Sequence, residues 1–268
     1  MNALPVSVVI PTFRDGEALR RALASVAGQT RAAAEVFVVD DAGGDPAIRA
    51  IIGDFPSLPL TLIELDENVG PGGARNAGIK TARMPFVAFL DADDEWHPCK
   101  LEHQMAVMLG PGSPFLSAHV KSFRGHAWSK QTSAESSLLT RWKILLSNPA
   151  SISTVIIARD RIEFDFPQWY AGEDYAFVSA NLLSSLTGVK LDLTLARAHK
   201  APFGAGGLSG RMLAMQIGEM RTHLFLRRHR LLKFWEFPIL IPWTLLKYGR
   251  RLVIVALDGM NLKRRFQK

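Results

Sequence analysis

The chain has 268 residues, 48% hydrophobic and 21% charged, a globular composition that favours one large domain with an appendage over two equal halves. A single cysteine, Cys99, excludes an internal disulfide framework and suits a reducing compartment, where it reads as a small packing residue. The net charge of +7 sits in one place: residues 221–268 carry twelve Lys/Arg against Glu236 and Asp258, a net of +10, which leaves −3 for residues 1–220. This excludes a nucleic-acid footprint spread over the body of the protein.

The opening MNALPVSVVIPTFRDGE has no basic n-region and reaches Pro11 after one short apolar run, predicting no signal peptide and a cytoplasmic start. Two β-rich runs, VSVVI (6–10) and EVFVVD (35–40), flank GEALRRALASVAGQ, in which Leu19, Ala22, Leu23 and Val26 recur at helical spacing. The alternation continues with a helix after Asp45, a strand at 60–65, a helix at about 73–82 and a strand at 86–91. Strands apolar at successive positions and separated by helices predict a mostly parallel sheet covered on both faces. Ligands bind such sheets at the carboxyl ends of the strands, so the loops PTF, DDAGG and DADDE should share one rim. Beyond Glu102 the sequence predicts a helix to about 109, a mixed region through 165, a helix at about 174–186 and a strand near 189–196. The Gly-rich stretch PFGAGGLSG follows.

Four carboxylates, Asp91, Asp93, Asp94 and Glu95, fall within five positions at the end of a buried strand. They are either turn residues or the holders of a cation, because like charges crowded there repel unless a cation or donors compensate. Hard divalent ions favour carboxylate oxygen and bridge to phosphates. An EF-hand is excluded by Glu95 and Trp96, and an aspartyl-phosphate site by Glu95 where Thr or Val is needed. Asp40-Asp41 either caps the next helix or reaches a ligand. GPGGARNAG fails the dinucleotide pattern because Arg75 replaces the third glycine. It remains a Gly-rich turn into a helix, with or without Arg75 directed at phosphate. Glu173-Asp174 opens a predicted helix, where the dipole alone favours acids. His199 reads as a surface or strand-end histidine.

In order along the chain, VSVVIPTF, LRRALASVAGQT, EVFVVDDAG, NVGPGGARNAGI and FVAFLDADDEWHPCKLEHQ resemble the family 2 glycosyltransferases, as do AGEDYAF and RAHKAPFGAGGLS. These are inverting, bacterial-type, membrane-associated enzymes of the GT-A fold. The resemblance implies an α/β, Rossmann-like nucleotide-diphospho-sugar transferase fold with a C-terminal helical tail. It implies transfer of a sugar from a nucleotide diphosphate, UDP above others, to an acceptor hydroxyl on a glycan or a lipid-linked carrier. Asp91-Ala92-Asp93 becomes the DxD motif, with Asp93 on a divalent Mn²⁺ or Mg²⁺ ion and Asp91 on the ribose or in the metal's shell. Pro11, Thr12 and Phe13 line the nucleotide, one of Asp40 and Asp41 meets the base, and Arg75 faces phosphate or sugar. Asp174 becomes the general base, and Glu173 binds the acceptor or orients that base. Arg197 and His199 are placed at the diphosphate and the metal, with Gly207 and Ser209 beyond them. The chain departs from the family at DDAG, where DDGS is usual, and in the spacing to GGLS.

The resemblance divides the chain into a transferase domain at 1–210, with a nucleotide-binding half at about 1–110 and an acceptor-side half at about 111–210, and a basic apolar tail at 211–268. The tail's apolar stretch at 234–246 is interrupted by Glu236, Pro238 and Pro242 and is too short to span a bilayer. Aromatic and aliphatic residues flanked by cations predict that residues 225–268 lie in a membrane interface, on the inner face of the cytoplasmic membrane. A helix packed on the domain, or a homo-oligomer contact, is the alternative. A sugar nucleotidyltransferase would share the rim but needs a basic Gly-rich N-terminal signature in place of PTFRDGEA. A non-catalytic, membrane-docked nucleotide-sugar-binding protein would require the loss of Asp93 or Asp174.

Overall fold

The apolar runs of the first 90 residues become a parallel sheet. Strand β1 (Leu4–Thr12) is buried along most of its length, and α1 (Gly16–Ala27) lays Ala18, Leu19, Ala22, Leu23 and Val26 against the sheet. Strand β2 (Ala33–Asp40) follows, then α2 (Pro46–Gly53), whose N-cap Asp45 accepts the Ala47 N–H at 2.9 Å. Next come β3 (Leu60–Glu64), α3 (Gly70–Thr81) and β4 (Phe86–Phe89). The computed structural model describes residues 3–14, 16–123, 128, 135–185, 187–199 and 208–266.

Helix α3 begins three residues before the predicted start, since Pro71 at its first turn needs no hydrogen-bond donor there. Its buried face is made of Gly70, Gly72, Ala74, Arg75 and Gly78. A Cβ at Gly78 would run into the Val9 side chain, so glycine lets this helix approach β1 closely.

The short strand β5 (Asp94–Trp96) leads into the predicted helix to about 109, which is α4 (Lys100–Met108), and the region predicted only as mixed contains β6 (Leu116–Phe123), β7 (Ser136–Leu138), α5 (Arg141–Leu146) and β8 (Ile156–Ala158). Then α6 (Glu173–Ser185), β9 (Gly188–Ala198), α7 (Leu208–Arg228) and α8 (Phe237–Phe266) complete the described chain. Among the described residues one sheet runs β3-β2-β1-β4-β8-β6-β9-β5, with β7 beside β9. The first four of these are parallel, as predicted; β8 is antiparallel to both β4 and β6, and β6 runs parallel to β9.

Parallel register sets the rim. Thr12 stands opposite Asp40, Asp40 opposite Glu64, and Val9 opposite Phe89, so PTF, DDAGG and the acidic loop all emerge at the same edge. Strand β4 ends at Phe89, two residues short of the predicted end, although the Leu90 N–H still bonds the Val9 carbonyl at 3.1 Å. Beneath the rim Phe89 meets Phe166 and Phe177 edge-on, and those two rings stack at 3.8 Å.

Helices α7 and α8 pack on α5 and α6. Leu226 and Leu240 are fully buried in the same core as Phe177, each contributing about 1.5–3 kcal/mol. The Arg141 guanidinium forks onto the buried Glu236 carboxylate at 2.7 and 2.6 Å and also reaches the Leu231 carbonyl. Trp243 donates its indole N–H to the Leu146 carbonyl at 2.9 Å. Gly218 of α7 lies so near Ala171 and Gly172 that a Cβ at either glycine would strike backbone, and Thr222 donates to the Gly172 carbonyl at 3.2 Å. The C-terminal helices therefore rest directly on the loop that leads into α6.

Candidate active site

An open cleft of about 480 Å³ lies on the rim. Eight residues singled out in the sequence line it: Pro11, Thr12, Phe13, Asp41, Arg75, Asp91, Ala92 and Asp93. Asn68, Pro71, Ala74 and Tyr170 join them. Three of these newcomers sit inside the quoted NVGPGGARNAGI, so the helix start that delivers Arg75 also delivers them. Tyr170, 70% exposed, arrives from a distant loop and donates to Asn68 Oδ1 at 3.4 Å.

Asp41 and Asp40 part company. Asp41 faces the cleft while its Oδ1 accepts the Val69 N–H at 2.8 Å. Asp40 is buried, and its two oxygens accept the Gly43 and Gly44 N–H groups at 3.0 Å each. Gly43 fits because a Cβ there would meet Asp40 Oδ1, and Gly44 adopts a φ of +56°. The departure DDAG from the usual family sequence is thus a loop closed on its own aspartate, leaving Asp41 as the carboxylate presented to a ligand.

Arg75 links the two halves of the site. Its guanidinium is almost wholly buried, donates to Asp91 Oδ1 at 2.6 Å and to Glu173 Oε1 at 3.2 Å, and lies over the Phe166 ring at 5.4 Å. Burial works against its charge, but Asp91 and Glu173 outweigh that and raise its pKa. Burial likewise pushes Asp91 upward, yet Arg75 and Lys121 hold its carboxyl below the ordinary aspartate range. The arginine expected to face phosphate or sugar spends two donors on protein carboxylates while still lining the cleft.

Asp91, Asp93 and Asp94 can offer oxygens that all lie within 4.8 Å of one another. They are not equivalent. Asp94 is buried and bonded to Lys121 and Ser153, and burial together with the Asp91 charge pushes its pKa up to about 6. Asp91 donates its backbone N–H to the same Ser153 hydroxyl at 3.2 Å. Lys121 and Ser153 come from strands and turns outside the motif, and they anchor Asp94 so that the loop presents Asp91 and Asp93 to the cleft.

Across Arg75 stand Glu173 and Asp174. Ala171 and Gly172, at φ +65° and +86°, turn the chain sharply into α6, where the dipole favours both acids. Asp174 Oδ1 accepts the Tyr175 N–H at 2.7 Å and Oδ2 accepts from Asn148 at 3.2 Å. Burial raises the pKa of both carboxylates, and the Asp174 charge raises that of Glu173 further. Asn148 was not singled out in the sequence; no local pattern marks a residue 26 positions upstream.

The structure does not bring His199 and Arg197 into the cleft lining. His199 Nε2 is hydrogen-bonded to Glu95 Oε2 at 2.9 Å, and Arg197, opposite Glu95 in the β5–β9 ladder, stacks over Trp128 at 4.0 Å. Gly207 lies outside the described residues, and Ser209 falls in the first turn of α7.

A parallel α/β rim that gathers carboxylates and a buried arginine around an open cleft is the edge at which such sheets bind their ligands. Residues 7–156 match the profile of Glycosyl transferase family 2, and the chain belongs to that family. Among curated relatives, the succinoglycan biosynthesis protein ExoO of Rhizobium meliloti (strain 1021) is 32% identical over 60% of this chain and 45% of its own length. The UDP-Glc:alpha-D-GlcNAc-diphosphoundecaprenol beta-1,3-glucosyltransferase WfgD of Escherichia coli is 29% identical over 67% of this chain and 70% of its own. The chain thus spans less than half of ExoO. In fold it is similar to mannosyltransferase PcManGT of Pyrobaculum calidifontis, solved with GDP-Man and Mn²⁺, at a TM-score of 0.67, 20% identity and coverage of 96% and 76% of the two chains. It is also similar to S. aureus TarS 1-349 with UDP-GlcNAc, at a TM-score of 0.64, 21% identity and coverage of 83% and 70%.

Proposed function

We propose that this protein is an inverting glycosyltransferase that takes a sugar from a nucleotide diphosphate, with Asp174 as general base. The observation that carries the reading is the continuous ion-paired chain from Asp91 through Arg75 to Glu173, next to Asp174, which ties the rim cleft to a half-buried carboxylate. The donor would lie in the cleft, its nucleotide against Pro11, Thr12, Phe13 and Asp41. Asp174 accepts the proton of the acceptor hydroxyl as that oxygen attacks the anomeric carbon from the face opposite the leaving diphosphate. Glu173 holds Arg75, and Arg75 holds Asp91, so the positions of acid and base groups depend on one guanidinium.

The carboxylate set suits a hard divalent cation, since Asp91 and Asp93 supply oxygens on the cleft side while Asp94 carries Lys121 as its counter-charge. Bound there, Mn²⁺ or Mg²⁺ would neutralise charge developing on the leaving nucleotide diphosphate. The test is release of nucleotide diphosphate from a panel of UDP-, GDP- and dTDP-sugars. Release is expected to need Mn²⁺ or Mg²⁺, to stop with EDTA and to fall at least tenfold in Asp93→Asn. Release that persists undiminished in EDTA defeats the metal assignment.

The acceptor proposed is a lipid-linked or cell-envelope glycan reached from a peripheral position on the inner face of the cytoplasmic membrane. Helix α8 supports this: one side carries the buried Leu240 and Thr244, while Ile239, Leu245, Leu246, Leu252 and Val253 are exposed. Phe234, 92% exposed, and Trp235 precede it, and Lys233 and Arg250 flank the apolar face. No helix among the described residues is long and apolar enough to cross a membrane. Flotation with phosphatidylglycerol vesicles is expected for the full chain and should weaken strongly in a Phe234→Ser, Ile239→Ser, Leu246→Ser triple variant. Equal flotation of both proteins would sink the membrane reading.

A further inference from the structure

A second cavity of about 360 Å³ has Asp174 in its wall, and the C-terminal helices build much of the rest. Asn148 and Asp174 line it together with Met215 and Glu219 of α7 and Lys247 and Arg251 of α8. Three of its charged groups form one cluster. Lys247 Nζ is paired with Glu219 Oε1 and also donates to the Leu146 carbonyl at 2.7 Å, while Arg251 stands 3.7 Å from Glu219 Oε2. The Glu219 and Lys247 side chains are 9% and 18% exposed, so both are held in the wall with their polar ends at the cavity.

The chemistry of this lining selects a class of ligand. Two carboxylates and two cations cancel, so the cavity has no net attraction for a free anion. Its donors and acceptors stand at close range beside Met215, an arrangement that suits a polyol whose hydroxyls both donate and accept and whose C–H face is apolar. The only proposed catalytic group in the wall is Asp174. A hydroxyl held here would lie against the proposed base.

We propose that this cavity seats the acceptor's terminal sugar ring, with Glu219 and Lys247 from the C-terminal helices recognising its hydroxyls. The inference rests on the transferase reading given above. It assigns specificity-determining residues to a segment beyond the matched family region at 7–156. It also gives α8 two duties, because the side that carries Lys247 and Arg251 faces the cavity while the opposite, apolar side is exposed. The same helix would then dock the protein and shape the site where the acceptor enters.

The experiment uses the full chain and a panel of alkyl diphosphate glycosides bearing glucose, galactose, mannose, N-acetylglucosamine or N-acetylgalactosamine. Nucleotide release is measured with and without each. At least one member should accelerate release over water, and for that member Glu219→Gln and Lys247→Met should each raise the acceptor KM tenfold or more without a matching rise in the nucleotide-sugar KM. Lys247→Arg, which keeps the pairing with Glu219, should recover most of the acceptor affinity and guards against a folding defect in the other two. An unchanged acceptor KM in Glu219→Gln and Lys247→Met overturns the proposal. So does donor hydrolysis that no panel member accelerates. Absence of any donor turnover, by contrast, defeats the transferase reading itself.

Discussion

Asp174→Asn is expected to lower the transfer rate by about 10²–10⁴-fold, the usual worth of a positioned general base. The amide is isosteric and can still accept the Tyr175 N–H, so the helix start should keep its geometry even though the contact with Asn148, whose Oδ1 is held by the Ala150 N–H, is weakened. What is lost is the capacity to take a proton. Affinity for the nucleotide sugar, measured by calorimetry, should change little, because Asp174 lines the second cavity and not the donor cleft. A variant that retains most of its transfer rate removes Asp174 from the mechanism.

The same group sets the acid limb of the pH profile. A base must be deprotonated to act, and burial raises the Asp174 pKa above its ordinary 3.8. The rate should therefore fall as pH is lowered, with a midpoint above 3.8. A rate constant of transfer that stays flat down to pH 4 contradicts the assignment.

Arg75→Met should be the most damaging single change to the framework. It removes one guanidinium and strands two carboxylates, the half-buried Asp91 and the buried Glu173. Breaking a buried ion pair from one side costs about 3–5 kcal/mol, which corresponds to roughly 10 °C in Tm for a chain of this size. The sign of the pH dependence distinguishes this cause from a simple packing defect. Asp91 is held below its ordinary pKa by Arg75, so the stability it contributes is present above pH 3.8 and is lost as pH falls through its depressed folded value. In the variant Asp91 keeps Lys121 and Ser153 but loses the charge and hydrogen bond of Arg75, so burial counts for more and it takes up a proton more readily. The Tm difference between the two proteins should thus be widest near neutrality and narrow in acid; a gap independent of pH points to lost packing against Phe166 instead.

The first half of the fold was legible because its signals are local. β1, α1 and β2 each carry their own apolar pattern, α3 is announced by a Gly-rich turn, and parallel pairing follows once strands apolar on both faces alternate with helices. The second half was not, for reasons visible in particular strands. β8 is three residues long, β5 is three residues of mixed polarity, and β6 buries Ser117 and His119, so no alternation marks it. These strands exist because the parallel edge offers partners, and that is a property of the assembled sheet.

The site divides in the same way. Apart from Tyr170, the residues of the rim cleft stand between Pro11 and Asp93 in short motifs, most of them at the ends of strongly patterned strands, so the sequence by itself determined which loops would share a rim. It also determined that Asp174 begins a helix. Only the tertiary structure decided how these groups are used: Asp40 closes its own loop, Asp94 takes Lys121, and Arg75 spans from Asp91 to Glu173. Only the packing of α7 and α8 on α6 decided that a tail marked in sequence by its charge would bring Glu219 and Lys247 beside Asp174. Partners separated by 16 to 98 positions leave no local pattern. A charge in the sequence shows that a partner is needed, and the fold alone supplies it.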